Sequence, residues 1–336
     1  MKLKNKVLII AEAGVNHNGS LQNALKMVDL ASKSGADFIK FQTFDPDSLS
    51  NTQLGLAKYQ RNHSVQNNHL KMLKKLSLSE KDFKKILFRC KKKKINFLSS
   101  PFDIKSIDLL KRLNINVFKI PSGQIDDIPY LERLGSLKKK IILSTGMSKL
   151  DDINKALKIL IKNGTPKKNI QILHCVSQYP ANNEILNLKS IKFLKNELKL
   201  PVGFSDHSQG FEASLVAIGL GARMIEKHFT LNKGQKGPDH KSSLSPIELI
   251  EFVKKIHQAE NSLGKYLKKP QKEELININY IRKKIVAQRE ILPGDKFTIK
   301  NLITKRSSYG LPASQWKKVL GKISKKKYRF NQGIIL

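Results

Sequence analysis

Eight short apolar segments alternate with helix-like stretches from residue 7 to residue 264, and this regularity constrains the fold more than any other feature. The segments are VLIIAEAG (7–14), FIKFQT (38–43), INFLSSPF (95–102), VFKIPSG (117–123), IILSTG (141–146), IQILHCV (170–176), PVGFSDH (201–207) and MIEKHFT (224–230). Between them lie helical patterns such as ALKMVDLASKSG (24–35), IKSIDLLKRL (104–113), LDDINKALKILIKNG (150–164) and LKSIKFLKNELK (188–199). The last, 245–264, opens with Ser245 as N-cap, Pro246 at the first helical position and Glu248 three residues on. Eight strands each followed by a helix is the count of an α/β (β/α)8 TIM barrel. An open doubly wound sheet is the alternative, but no GxGxxG follows the first strand. The reading is a barrel over 1–264, a linker over 265–280, and a small mostly-β domain over 281–336. The small domain is read from the runs KKIVAQ, FTI and GIIL and the turns PGD and NQG. One long polar insertion, 45–70, follows the second strand, where barrel loops cover the active site; a disordered loop is the competing reading.

The charge is extreme: 63 Lys and Arg against 27 Asp and Glu, a formal +36. The lysines are spread over nearly every helical segment and turn, as in 91–94, 138–140 and 325–327. They form no stripe, and no zinc-finger or RNA-recognition spacing accompanies them, so specific nucleic-acid binding is not expected. A basic surface would still attract anionic substrates. No apolar run reaches the length of a membrane span, and none reads as a signal peptide. Cys90 and Cys175 suggest no disulfide framework, so a cytoplasmic protein is expected.

Alternation along a strand places every second side chain on one face. Applied to these strands, it gives an inward set of Glu12, Lys40, Gln42, Ser100, Phe102, Lys119, Ser144, Ser205, His207, Glu226 and His228. All lie near strand C-termini, where barrels build their sites. Lys40 and Lys119, with Ser100, Ser122, Ser144 and Ser205, make a cationic, hydroxyl-rich cradle for phosphate and carboxylate. An internal salt bridge to Glu12 or Glu226 is the alternative for either lysine. His207 and His228, on neighbouring strand ends, offer two imidazoles to a divalent metal and leave positions open for substrate. Glu12 suits a general base or a partner for substrate hydroxyls. His174, in the opposite register from Cys175, reads as structural.

The segments EAGVNHNGS, IKFQT, SSPFD, FKIPSG, ILSTGM, HCVSQYP, GFSDHS, IEKHFT and GPDHKSSL closely resemble the sialic acid synthases. KKIVAQREILPGDKFTIKNLITKRSSYGLPA resembles that family's antifreeze-like (SAF) domain. The resemblance is collinear over essentially the whole chain. It implies condensation of phosphoenolpyruvate with an N-acetylmannosamine-type sugar and water, releasing phosphate. The alternative sugar is 2,4-diacetamido-2,4,6-trideoxymannose, the legionaminate type. By motif, His207 and His228 would ligate Mn2+ or Mg2+. Lys40, Ser100, Lys119, Ser122, Ser144 and Ser205 would hold phosphoenolpyruvate. Glu12, Gln42, Phe102, Tyr179 and Asp239 would contact the sugar or the water, and Glu226 matches a carboxylate beside the metal. Arg306 matches an arginine that reaches the acetamido group across a domain-swapped homodimer. The chain departs from the pattern at Ser177, Gln178 and YPANN (179–183), which border the sugar. GPDHKSSL looks more like the neuraminic and legionaminic than the pseudaminic branch. A class II-type aldolase using pyruvate, and a nucleic-acid-binding protein, are the competing functions.

Overall fold

The computed structural model describes residues 6–51, 53, 55 and 68–336. The chain divides into two compact units, Met1–Gly264 and Lys265–Leu336. In the first unit, eight parallel strands close into a barrel in sequence order. They are β1 (Leu8–Gly14), β2 (Phe38–Thr43), β3 (Asn96–Pro101), β4 (Val117–Ile120), β5 (Lys140–Ser144), β6 (Ile170–Cys175), β7 (Val202–Asp206) and β8 (Met224–His228). Outside them run α1 (Leu21–Ser34), α2 (Pro46–Leu49), α3 (His69–Leu76), α4 (Glu80–Lys93), α5 (Ile104–Arg112), α6 (Ile128–Ser136), α7 (Leu150–Lys162), α8 (Ser190–Leu198), α9 (Glu212–Gly219) and α10 (Pro246–Ser262). The expected barrel is therefore observed, with strand ends differing by at most three residues. The expected cap is present too: Ser245 Oγ accepts from Glu248 N at 3.4 Å, and the Glu248 carboxylate accepts from Ser245 N at 2.7 Å.

Two apolar layers explain the barrel. Outward strand residues such as Ile9, Ile39, Phe118, Ile172 and Phe204 pack against the helices in one large core. Inward residues at the N-terminal end form a second cluster of Ile10, Leu98, Ile142, Leu173 and Met224, flanked by Leu8, Phe38 and Val117. That plug closes the bottom of the barrel. Gly203 lies in the same layer because a Cβ there would collide with the Met224 carbonyl and lie 2.7 Å from Leu173 Cδ2. Two residues further along seven of the eight strands the lining becomes polar: Ile10 gives way to Glu12, Phe38 to Lys40, Leu98 to Ser100 and Val117 to Lys119. Ile142 likewise gives way to Ser144, Gly203 to Ser205 and Met224 to Glu226. Period-two alternation thus stacks an ionisable layer on an apolar one.

The outward neighbours at the ends of β7 and β8 are charged as well. Asp206 and Lys227 are register partners and form an almost fully buried ion pair at 2.9 Å. Asp206 also accepts from Ser208 N, Ser208 Oγ and Ser214 Oγ, and Lys227 donates to the Ser208 carbonyl at 2.6 Å. Every charge in this cluster is matched, which is the condition for burying it.

In the second unit, α11 (Lys272–Ile281) is followed by the antiparallel pair β9 (Lys283–Ala287) and β10 (Leu302–Arg306), with α12 (Trp316–Val319) beyond. Its core is Ile285, Ala287, Ile291, Phe297, Leu302, Val319, Tyr328 and Ile334. Two expectations change here. Most of 265–280, read as linker, is helical, started by a reciprocal cap between Gln271 and Glu274. FTI (297–299) is not a strand: Phe297 anchors the core while Asn301 Oδ1 accepts from Thr298 N and turns the chain. Cys90 and Cys175 are free and buried, and among the described residues no helix is long and apolar enough to cross a membrane.

Candidate active site

A cavity of about 490 Å³ opens above the ionisable layer. Every residue expected in the site except Arg306 lines it: Glu12, Lys40, Gln42, Ser100, Phe102, Lys119, Ser122, Ser144, Tyr179, Ser205, His207, Glu226, His228 and Asp239. Arg306 is exposed at the end of β10, in the second unit. His174 lies outside this set, its Nε2 against the Leu186 carbonyl at 2.8 Å.

The charged floor is an alternating array. Lys40 Nζ lies 3.2 Å from both Glu12 Oε1 and Glu226 Oε2, and Lys119 Nζ lies 3.1 Å from Glu226 Oε1. The salt-bridge alternative for the lysines is therefore observed, and both also face the cavity. Burial pulls Lys40 down, but two carboxylates overcome that and hold its pKa above the ordinary lysine value. Burial dominates at Lys119, which has one close carboxylate, and lowers it. Burial raises Glu226, yet two ammonium groups outweigh it and keep it ionised, well below the usual range. Burial prevails at Glu12 and pushes it up to about 7, with Oε2 buried and without a hydrogen-bond partner. The two carboxylates thus divide into a fixed anion and a group that can exchange a proton near neutrality.

Hydroxyls complete the floor. Ser100 Oγ accepts from Lys40 Nζ at 3.3 Å, and Ser205 Oγ donates to Glu226 at 2.9 Å. Ser144 Oγ is buried and without a partner. Ser122 Oγ accepts from Gly146 N at 2.9 Å and lies 3.2 Å from Cys175 Sγ. Gly146 permits this approach, because a Cβ would collide with Ser177 Oγ and lie 2.9 Å from Ser122 Oγ.

The histidines form one wall, their ring centroids 5.9 Å apart, with the Tyr179 ring tilted by 32° against His207 at 4.1 Å between centroids. His207 Nδ1 donates to the Val176 carbonyl at 2.6 Å, which leaves Nε2 with its lone pair. His228 Nδ1 is buried and has no hydrogen-bond partner. Burial lowers His207 to about 4 and His228 well below the usual value, so both rings are neutral. Two neutral imidazoles this close fit the donor chemistry of a shared divalent cation. Among the described residues no cluster of three His, Cys, Asp or Glu side chains is placed to hold an ion. Asp239 closes the mouth, pushed by burial up to about 6.

Sequence reasoning placed the 45–70 insertion over the site but named no residue of the opposite wall. Leu49 of α2 and His69, Met72, Leu73 and Leu76 of α3 line the cavity. The described parts of the 45–70 insertion therefore do border the site; 52, 54 and 56–67 lie outside the described residues. The available signal was the spacing of Met72, Leu73 and Leu76, one apolar helical face. Met147 and Cys175 were missed as well.

A closed (β/α)8 barrel with an ionisable, hydroxyl-rich cavity at its C-terminal mouth defines a barrel enzyme. The chain belongs to the NeuB family, whose model matches residues 27–268. It is 47% identical over 325 residues to the N,N'-diacetyllegionaminic acid synthase of Campylobacter jejuni serotype O:2, covering 96% of this chain and 97% of that one. It is 40% identical over 316 residues to the synthase of the same name from Legionella pneumophila (93% and 89%). It is also similar to the crystal structure of an N-acetylneuraminic acid synthetase from Leptospira borgpetersenii in complex with citrate. There the TM-score is 0.72 at 35% identity, over 82% of this chain and 91% of that one.

Proposed function

We propose that the protein is a nonulosonic acid synthase that joins phosphoenolpyruvate to an N-acetylated, mannosamine-type sugar and releases phosphate. The observation that carries this reading is the floor itself: two buried ammonium groups among four serines, beside a neutral histidine pair. Lys40, Lys119, Ser100, Ser122, Ser144 and Ser205 hold the phosphate and carboxylate of phosphoenolpyruvate. A cation held by His207 and His228, Mn2+ or Mg2+, would supply Lewis acidity at the acceptor's aldehyde oxygen. Gln42, Phe102, Tyr179 and Asp239 orient the open-chain sugar so that its carbonyl carbon faces C3 of phosphoenolpyruvate.

Carbon–carbon bond formation leaves positive charge at C2. Water adds there, and the tetrahedral intermediate loses inorganic phosphate by C–O cleavage. Glu12, titrating near 7, takes the proton that water gives up. Glu226 stays ionised between the lysines and keeps both aimed at the leaving phosphate. Because the C2–O bond breaks, the bridging oxygen leaves with phosphate, water's oxygen stays at C2 as the new carbonyl oxygen, and phosphorus is not attacked. The reading extends to a C-terminal antifreeze-like unit that swaps in a homodimer and brings Arg306 to the acetamido group, and to a cytoplasmic location.

The test is phosphate release with mass detection of the nine-carbon acid. Release is expected only when phosphoenolpyruvate, the sugar and a divalent metal are all present, and it should disappear with EDTA or in His207→Asn. No release across a panel of N-acetylated mannosamines would sink the proposal. Turnover of pyruvate without phosphate would instead point to an aldolase.

A further inference from the structure

Asp239 belongs to the loop between β8 and α10, and it lines the cavity together with Pro238. The base of that loop is stitched shut. Thr230 N donates to the Leu244 carbonyl and Leu244 N donates to the His228 carbonyl, each at 2.9 Å. The segment between them carries Asp239, and its position is set by side chains from the loop that follows β1.

Asn16, buried in that β1 loop, makes the first attachment. Its Nδ2 donates to the Phe229 carbonyl at 2.8 Å and to Ser243 Oγ at 2.9 Å. Ser243 Oγ in turn donates to the Asp239 carbonyl at 2.6 Å, and Ser242 Oγ donates to the same carbonyl at 3.2 Å. An amide nitrogen only donates and a carbonyl only accepts, so this relay has one direction. The second attachment is His240. Its Nδ1 lies 2.7 Å from Thr230 Oγ1 and its Nε2 lies 3.2 Å from Asn18 Oδ1, while Asn18 Nδ2 donates to Gln235 Oε1 at 3.2 Å. Nε2 donates to Asn18, so Nδ1 accepts from the threonine hydroxyl. Burial lowers His240 to about 4, which keeps this neutral arrangement at ordinary pH.

The backbone makes room for both attachments. Asn18 has φ +53° and Gly19 φ +73°, and a Cβ on Gly19 would collide with the Lys75 carbonyl. A Cβ on Gly237 would lie 2.7 Å from His240 Cδ2 and 3.0 Å from Asn18 Oδ1. Asn16, His240 and Ser243 are buried, and the cavity lining includes Asp239 but none of these three.

We propose that Asn16 and His240 are positioning residues that fix Asp239 over the mouth, and so govern how the acceptor is held without touching it. The inference rests on the synthase reading above, in which Asp239 contacts the sugar. Lys40, Ser100, Lys119, Ser144 and Ser205 stand on the barrel strands. Loosening the loop should therefore affect the acceptor and spare phosphoenolpyruvate.

Steady-state kinetics with Mn2+ test this, using whichever of N-acetylmannosamine and 2,4-diacetamido-2,4,6-trideoxymannose wild type turns over faster. Ser243→Ala breaks the relay at one hydroxyl and should lower kcat/KM for the acceptor by 10- to 100-fold, the scale of a misplacement of about 1 Å. KM for phosphoenolpyruvate should stay within about twofold. Asn16→Ala should act in the same direction, and Ser243→Ala covers the case in which Asn16→Ala fails to fold. In an Asp239→Asn background, Ser243→Ala should add less than about twofold, because the group it positions has already been altered. A full loss repeated in that background would overturn the proposal, as would KM values for both substrates rising together. Should Asp239→Asn abolish release, the split between the two KM values remains the deciding measurement. Absence of phosphate release by wild type with either sugar would count against the synthase reading itself, a separate outcome.

Discussion

The pairing of Lys119 with Glu226 can be measured directly, because Lys119 has one close carboxylate whereas Lys40 has two. At 3.1 Å, and with the effective dielectric of about 20 that suits buried sites, their attraction is roughly 5 kcal/mol. Lys119→Met leaves Glu226 with Lys40 still beside it. Glu226→Gln leaves Lys119 without its nearest anion, and also weakens the hold on Lys40. Each single change should cost about 3–5 kcal/mol, the loss expected when one partner of a buried pair is removed. The double variant should cost less than the sum by roughly 2–4 kcal/mol. Urea denaturation followed by circular dichroism, without ligand, supplies all corners of the cycle. Burial predicts in addition that the coupling survives 0.5 M salt, unlike a surface pair. Additivity within about 0.5 kcal/mol, or a coupling abolished by salt, would refute the electrostatic account of the floor.

Two further outcomes follow. Gly146→Ala should displace Ser122 and raise KM for phosphoenolpyruvate by about tenfold with an unchanged melting temperature, since the intruding Cβ meets side chains of the cavity; steady-state kinetics would show it. Asp239, raised from 3.8 to about 6, is bound to a proton more tightly when folded than when unfolded. Its contribution to stability is therefore complete below about 3.8 and lost as pH rises through about 6. Asp239→Asn should remove that slope, and stability curves of both proteins between pH 3.5 and 7 that run parallel would contradict it.

Most of the barrel was legible because its strands obey two rules at once. Buried parallel strands read as apolar runs, and these runs turn polar at the end where barrels build their sites. Lys40, Lys119 and Glu226 stood out for that reason, and every inward prediction reached the cavity. The wall of α2 and α3 was less legible because its apolar residues contact the cavity from a helix, whose period differs from that of the strands. In the linker, Leu275, Ile276 and Tyr280 are exposed, so α11 carries no buried apolar stripe to announce it. The division between Glu12 and Glu226 was not legible at all. It depends on which carboxylate has two ammonium neighbours, a three-dimensional fact.

The buried pair Asp206–Lys227 gives the chain a phase lock. A one-residue slip of β8 would carry Lys227 into the cavity and send Glu226 and His228 into the apolar helix layer, so both faces would fail together. Pairing on the outer face therefore protects the chemistry on the inner face without touching it. A single-residue insertion or deletion within β7 or β8 would break both faces at once, whereas a change in the loops beyond the strands leaves the pairing in register. The rim of the cavity can therefore change without disturbing the register that sets its ionisable floor.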